Sequence, residues 1–426
     1  MKMRIFLGLL CAGMAMWADP ASGVPKVTDV AMSQAVDRLV TITYRLTDAP
    51  AIVTLDIQTN ATDGSWASIG GTNIWSLSGD VNRKVSGKET YTINWRPDIS
   101  WPDHKIAEGG ARAVVTAWAL DNPPDYMVVD ISETAGEGDV EWYPSVDFLP
   151  GGLLGDDRYR QSTIVMRKIA AKGVTFTMGS IGEPSRNAAR EKTHAVTLTN
   201  SFYIGVFEVT QAQWARIFTA NPWPSYFANT TCRAMRPVQN ITFNEVRRGG
   251  TTSSTGGEWP APPGEGSFLW LLRDKTKIDF DLPSEAQWEY ACRAGNGEGR
   301  WNTGAPIVYD ASAPGRYPKT GGDDKDGQDV TAEKGTAIVG SYPPSDWGLY
   351  DMHGNVYEYC LDYYMDDPSA LKGGVNVSKA ESSNHVLRSG TYVSPGQNIR
   401  SALRTNSKDN SVSKYNGLRI VCRAGL

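Results

Sequence analysis

Few residues in this chain could do redox, metal or nucleophilic chemistry: five cysteines and four histidines among 426 positions. Cys11 falls in an apolar leader, leaving Cys232, Cys292, Cys360 and Cys422. None of these forms a CxxC pair, so a structural zinc site is not expected. In an oxidising compartment four cysteines suggest two disulfides, and spacing alone leaves all three connectivities open. His104, His194, His353 and His385 include no i, i+4 pair of the kind that presents two imidazoles on one helix face. There is no Gly-x-Ser-x-Gly elbow for serine-hydrolase chemistry. Carboxylates are plentiful, but no acid/base pair stands out.

The elements that must position these residues begin with Met1, Lys2, Met3 and Arg4, then an apolar run from Ile5 to Trp17 and the small residues Ala18 to Gly23. That order of charged, apolar and small regions is the pattern of a cleaved secretory signal over 1–23. Thirteen apolar residues are too few for the ~30 Å hydrocarbon core, which needs about 20. The expected product is secreted, or held in the periplasm or cell envelope, without a membrane span. A composition of 40% hydrophobic and 21% charged residues is globular, and a formal charge of -5 offers no basic stripe for nucleic acid.

From 24 to 132 the apolar residues alternate: Val40, Ile42, Tyr44; Val53, Leu55, Ile57; Tyr91, Ile93, Trp95; Val115, Ala117, Ala119. Period two with turn residues between runs predicts an all-β sandwich of the immunoglobulin or fibronectin kind. His104, after Trp101-Pro102-Asp103, reads as a loop histidine. Residues 133–162 are rich in Gly, Asp and Pro and read as a linker. From 163 to 426 strands are expected at Ile164–Ile169 and Val174–Met178. Two helices have capping boxes, Thr210 with Gln213 and Ser284 with Gln287, and the second stops at Gly295.

Along this second part run, in order, Gly173-Val-Thr-Phe-Thr-Met-Gly179, Phe202-Tyr203, Glu208-Val209-Thr210 and Arg236-Pro237-Val238. After them come Leu282-Pro-Ser-Glu-Ala-Gln-Trp-Glu-Tyr-Ala-Cys-Arg-Ala-Gly295 and Gly348-Leu-Tyr-Asp-Met-His-Gly-Asn-Val-Tyr-Glu-Tyr359. The series closes with Arg388-Ser-Gly390, Arg400-Ser-Ala-Leu-Arg404 and Gly417-Leu-Arg419. Residues 163–426 thereby resemble the sulfatase-modifying factor family, the formylglycine-generating enzymes. The resemblance implies an α+β, C-type-lectin-like fold rich in turns and held by calcium and disulfides.

What the resemblance implies for chemistry is oxidation of a sulfatase cysteine by molecular oxygen at copper(I), a soft ion that needs two thiolates held close together. Those cysteines should follow the Arg388-Ser-Gly390 segment, where Ser394 stands instead and no cysteine lies between Cys360 and Cys422. A serine hydroxyl stays protonated and is too hard a ligand to replace a thiolate, so no copper is expected. The related sulfoxide synthases hold iron through histidines from an added helical domain that is not evident here.

The resemblance also implies a calcium loop. Asp351 and Glu358 would give carboxylate oxygens, and Gly354 and Val356 backbone carbonyls, a mixed oxygen set that suits calcium. A second family calcium loop would fall between Asp310 and Val339, where its ligands do not align. It further implies a Cys292–Cys422 disulfide, and it places a ligand-binding surface over 388–416. There Tyr392, Ser394, Asn398, Arg400, Arg404 and Asn406, with Lys408, would meet a protein, peptide or glycan. Arg400 and Arg404 could equally be buried arginines paired with acidic residues. The expected function is therefore an exported binding module stabilised by calcium and inactive in formylglycine formation. The alternatives are an oxidoreductase using a non-cysteine metal site and a structural protein of the cell envelope.

Overall fold

The structure is a computed structural model, and it describes residues 23–61, 63–136, 138–227, 232–249, 261–321, 335–370 and 384–425. The expected leader, 1–23, lies outside these residues apart from Gly23. Among the described residues no helix is long and apolar enough to cross a membrane.

The first region is built from β1 (Lys26–Gln34), β2 (Val40–Thr47), β3 (Ala51–Asn60), β4 (Trp66–Ser68), β5 (Leu77–Gly79), β6 (Arg83–Val85), β7 (Tyr91–Trp95) and β8 (Ala111–Trp118). A four-residue helix, α1 (Pro97–Ser100), follows β7. The strands form two four-stranded sheets, one ordered β1-β2-β7-β5 and the other β4-β3-β6 with β8 also on β3. Val40, Ile42 and Tyr44 from one sheet meet Val53, Leu55 and Ile57 from the other in one core, so the alternation read from sequence does mark the inward faces.

Strand β3 is buried on both faces over Ala51–Leu55. Its Ile52 turns away from that core and joins the large core of the second region. That second region does not begin at 163. Its main sheet is ordered β10-β9-β11-β14-β19, from β9 (Tyr126–Asp130), β10 (Val140–Tyr143), β11 (Thr163–Ile169), β14 (Phe202–Gly205) and β19 (Val421–Arg423), all antiparallel. β9 was expected in the sandwich and β10 in the linker. Both instead serve the second core, because Met127, Val129 and Trp142 pack with Ile164, Met166 and Tyr203. The rest of the expected linker is folded too, with the short α2 (Arg158–Gln161) burying Tyr159.

A two-stranded sheet joins β12 (Thr175–Met178) to β13 (His194–Thr197). Another sheet is ordered β17-β16-β15-β18, from β15 (Tyr357–Tyr363), β16 (Asn384–Arg388), β17 (Thr405–Lys408) and β18 (Asn416–Gly417). The region also holds the helices α3 (Gln211–Ile217), α4 (Phe268–Thr276) and α5 (Glu285–Arg293). Both capping boxes form, at Thr210 with Gln213 and at Ser284 with Gln287. Helix α5 stops where Ala294 and Gly295 take left-handed φ of 49° and 81°. Trp214 of α3 stacks on Phe268 of α4 at 4.7 Å, while Trp288 and Cys292 of α5 fill a second core with Met352, Cys360 and Val421.

Because β9 and β10 belong to the second core, a fragment starting at 124 should fold, as judged by far-UV circular dichroism and a cooperative melt. A fragment starting at 145 should not, since it loses two of five strands and exposes Ile164 and Met166.

Candidate functional site

The segment singled out for calcium is shaped by three left-handed residues, Asp351 (φ 57°), Gly354 (φ 91°) and Asn355 (φ 64°). Asp and Asn tolerate this region better than other L-residues. At Gly354 nothing larger fits, because an added Cβ would lie 2.1 Å from the Arg316 carbonyl oxygen. Ser389 Oγ donates to the Gly354 carbonyl at 2.8 Å.

The four expected ligands stand close in this loop, but their side chains are not equally open. Glu358 accepts from Arg419 Nη2 at 2.8 Å, from Arg419 Nε at 3.1 Å and from Trp288 Nε1 at 2.6 Å. Asp351 Oδ2 accepts from the Gly340 N–H at 2.7 Å, whereas Asp351 Oδ1 is buried without a partner. A third carboxylate that sequence reading passed over, Glu208, is also fully buried. Burial, then the charges of Asp351 and Glu358, push its carboxyl well above the ordinary range. Asp351 is raised to about 6, chiefly by burial. The residues fit a hard cation in charge and in one open oxygen, although among the described residues no three His, Cys, Asp or Glu side chains form a ready metal set.

The expected ligand surface is mostly interior. Tyr392, Ser394, Arg400 and Arg404 are buried, Asn398 and Asn406 are half-buried, and Lys408 is exposed. The cause is a continuous chain of alternating charges. Arg400 Nη1 binds Glu183 at 2.6 Å and Glu191 at 2.8 Å, and Arg293 lies 3.9 Å from Glu183 and 2.8 Å from Glu289. Arg388 joins Glu289 at 2.6 Å to Glu285 at 2.9 Å, and Arg404 ends the chain on Glu285 at 2.6 Å. Burial alone would raise Glu285 and Glu289, but the arginines outweigh it and hold both below their ordinary values. Their guanidinium groups face these carboxylates, not solvent, so Arg400 and Arg404 are structural.

Ser394 accepts from the Thr391 N–H at 2.9 Å and lies 3.0 Å from the Thr391 hydroxyl. Tyr392 packs edge-on against Phe227 at 5.2 Å, and Asn406 accepts from Asn384 Nδ2 at 2.7 Å.

The expected Cys292–Cys422 disulfide is not made: Cys232, Cys292, Cys360 and Cys422 are all free and buried. Strand alternation separates the pair, since Val421 faces the core containing Cys292 while Cys422 faces the other. Cys292 Sγ lies 3.4 Å from Ser401 Oγ, and burial pushes its thiol up to about 12. The histidines are dispersed as well. His194 bonds the Lys192 carbonyl, His353 the Ile399 carbonyl and His385 the Leu361 carbonyl. Burial holds His353 down at about 4, so it is a neutral core residue. His104 stacks on Trp101 at 4.0 Å in an exposed loop.

A groove of about 620 Å³ is lined by Phe202, Asp281, Ser284, Gln287, Val421, Cys422 and Arg423 among others. Its size is within the ordinary range of small-ligand clefts.

Arg400→Met would leave Glu191 buried without its cation, and breaking a buried pair costs about 3–5 kcal/mol. Urea denaturation should show that loss; a change below about 1 kcal/mol would return Arg400 to the role of a ligand-facing residue.

Comparison with known proteins matches residues 159–424 to the family model described as the sulfatase-modifying factor enzyme 1-like domain. The serine/threonine-protein kinase pkn1 of Chlamydia pneumoniae is 33% identical over 263 residues, 60% of this chain and 38% of that protein. The formylglycine-generating enzyme of Thermomonospora curvata is 27% identical over 254 residues, 53% of this chain and 78% of that one. That of Streptomyces coelicolor is 33% identical over 161 residues, covering 34% and 47%. The chain spans only 20–38% of the length of the kinase-named relatives. Among solved structures, PvdO from Pseudomonas aeruginosa aligns with a TM-score of 0.44 and 23% identity, over 61% of this chain and 94% of that one. With more than half of its length matched by the family model, this chain belongs to the sulfatase-modifying factor enzyme family.

Proposed function

We propose that this chain is an exported family member that does not form formylglycine and acts as a calcium-stabilised module binding a protein or glycan. The observation that carries the reading is Ser394, closed into a turn with Thr391 where copper(I) would need a thiolate. The four cysteines of the second region cannot supply the pair from elsewhere. They are buried and unpaired, and burial raises the thiols of Cys292, Cys360 and Cys422. Thiols so shielded are inert, which makes four free cysteines compatible with an exported protein. The alternative of an oxidoreductase on a histidine-based metal site finds His194, His353 and His385 each bonded to a different carbonyl. The 620 Å³ groove offers a concave surface for a ligand in place of the interior residues first expected to meet one. The sandwich in front, of immunoglobulin or fibronectin kind on this reading, would act as spacer or adhesion module.

The direct test incubates the purified protein with copper(I), oxygen and a peptide carrying a sulfatase-type cysteine motif. Mass spectrometry should find the cysteine unchanged, and conversion to the aldehyde would overturn the inactive reading.

Calcium has its own signature. Without the ion, the Asp351 carboxyl near 6 lies above its unfolded value of about 3.9. The folded state then keeps a proton that the unfolded chain has released, so this contribution to stability is complete below about pH 4 and lost as pH rises through 6. Calcium needs the ionised carboxylate and opposes that loss. The calcium-induced rise in Tm should therefore be larger at pH 7 than at pH 5, measured by differential scanning calorimetry. Equal rises would count against Asp351 as the ligand.

A further inference from the structure

The five-stranded sheet ends at β19, and the outer edge of that strand lines the 620 Å³ groove. On its inner edge the Ile420 carbonyl accepts from the Gly205 N–H at 2.9 Å and the Ala424 N–H donates to the Ser201 carbonyl at 3.2 Å, with Cys422 opposite Tyr203 between them. Alternate residues of an antiparallel ladder turn their N–H and C=O to the same side, so Val421 and Arg423 turn theirs outward. Val421 finds a partner there, exchanging two bonds of 2.8 Å with Asp281. Two residues further along, the same pairing would set Asp279 beside Arg423. A turn closed by the Phe280 N–H on the Ile278 carbonyl at 2.8 Å carries the chain off the edge instead. Among the described residues no turn or bridge bond takes up the N–H or C=O of Arg423.

An outward donor and acceptor on one edge residue are what an extended backbone pairs with when it adds to a sheet. The groove also supplies apolar wall beside that edge, from Phe202, Leu282, Leu361 and Val421, which suits the alternate side chains of a strand. Its charges favour an acid. Asp281 is held by Arg247 at 2.8 Å and by Arg273 at 3.2 Å, and Arg273 also lies 3.6 Å from Asp279. Arg423 adds an exposed guanidinium, so three arginines stand against two aspartates.

We propose that the groove takes an extended peptide with an acidic side chain, which adds to β19 through the N–H and C=O of Arg423 and sets its carboxylate against the Arg423 guanidinium. This rests on the binding-module reading above and names the ligand class. The probe is a phage-displayed library of random heptapeptides, selected on the full chain, with the recovered sequences synthesised and titrated calorimetrically. Peptides containing Asp or Glu should dominate. Arg423→Pro removes the outward N–H and spares the β14 ladder, as proline does on an edge strand, and should weaken binding at least tenfold. Arg423→Gln keeps the N–H and should weaken only the acidic peptides. In the unaltered chain the Arg423 amide should exchange with deuterium at least tenfold more slowly once peptide is bound, a readout that decides the matter if Arg423→Pro does not fold. Equal affinity in a folded Arg423→Pro, or unchanged exchange at Arg423, would overturn the assignment and leave the binding-module reading standing. Recovery of no peptide, or of none with an acid, would overturn it too. The module reading itself falls on a different result, aldehyde formation in the copper assay.

Discussion

The second region depends on eight alternating charges that run through it without reaching solvent. Glu191, Arg400, Glu183, Arg293, Glu289, Arg388, Glu285 and Arg404 are each at most 8% exposed. They come from the loop after β12, from one face of α5, from β16 and from the segment before β17. Regular structure is sparse there, so backbone ladders cannot fix how these elements meet, and the charge chain does so instead. Each carboxylate is held by an arginine from a different part of the chain, apart from the i, i+4 pair Glu289 and Arg293 within α5. Removing any one member leaves a buried charge behind, and this makes the arrangement cooperative.

The same rule of charge matching governs the Asp351 loop, with a different outcome. Arg419 answers Glu358, whereas Glu208 accepts from the neutral donors Val356 N–H and Asn355 Nδ2 and Asp351 Oδ2 from the Gly340 N–H, with Asp351 Oδ1 left without a partner. Left-handed residues at 351, 354 and 355 hold the loop in a conformation that ordinary residues avoid.

Legibility in the sequence followed how local each signal is. Alternation at Val40–Tyr44 and Val53–Ile57 and the capping boxes at Thr210 and Ser284 are short-range patterns, and they correspond to elements of the structure. Helix α4 was passed over because Ser267 caps it by accepting from Trp270 N–H, with tryptophan where a capping box would put Glu or Gln. β9 and β10 were assigned to the wrong side of the boundary because a strand does not announce which sheet it will join. The buried state of Arg400 and Arg404 was equally hidden, since it depends on carboxylates more than 100 residues away in sequence. Glu208 stands in the Glu208-Val209-Thr210 segment with nothing local to mark its burial. Its hydrogen bond from Asn355, in the Asp351 loop, joins residues separated by 147 positions.

The entry of β9 into the interior of the five-stranded sheet has a mechanical consequence. The chain leaves the sandwich through β8 and then runs directly into a strand bonded on both sides, to β10 and to β11. Tension applied at the first region would be shared along two antiparallel ladders and delivered into the core that holds Trp142 and Ile164. Ile52 of β3 is seated in that same core, so the first region is joined to it by packing as well as by the chain.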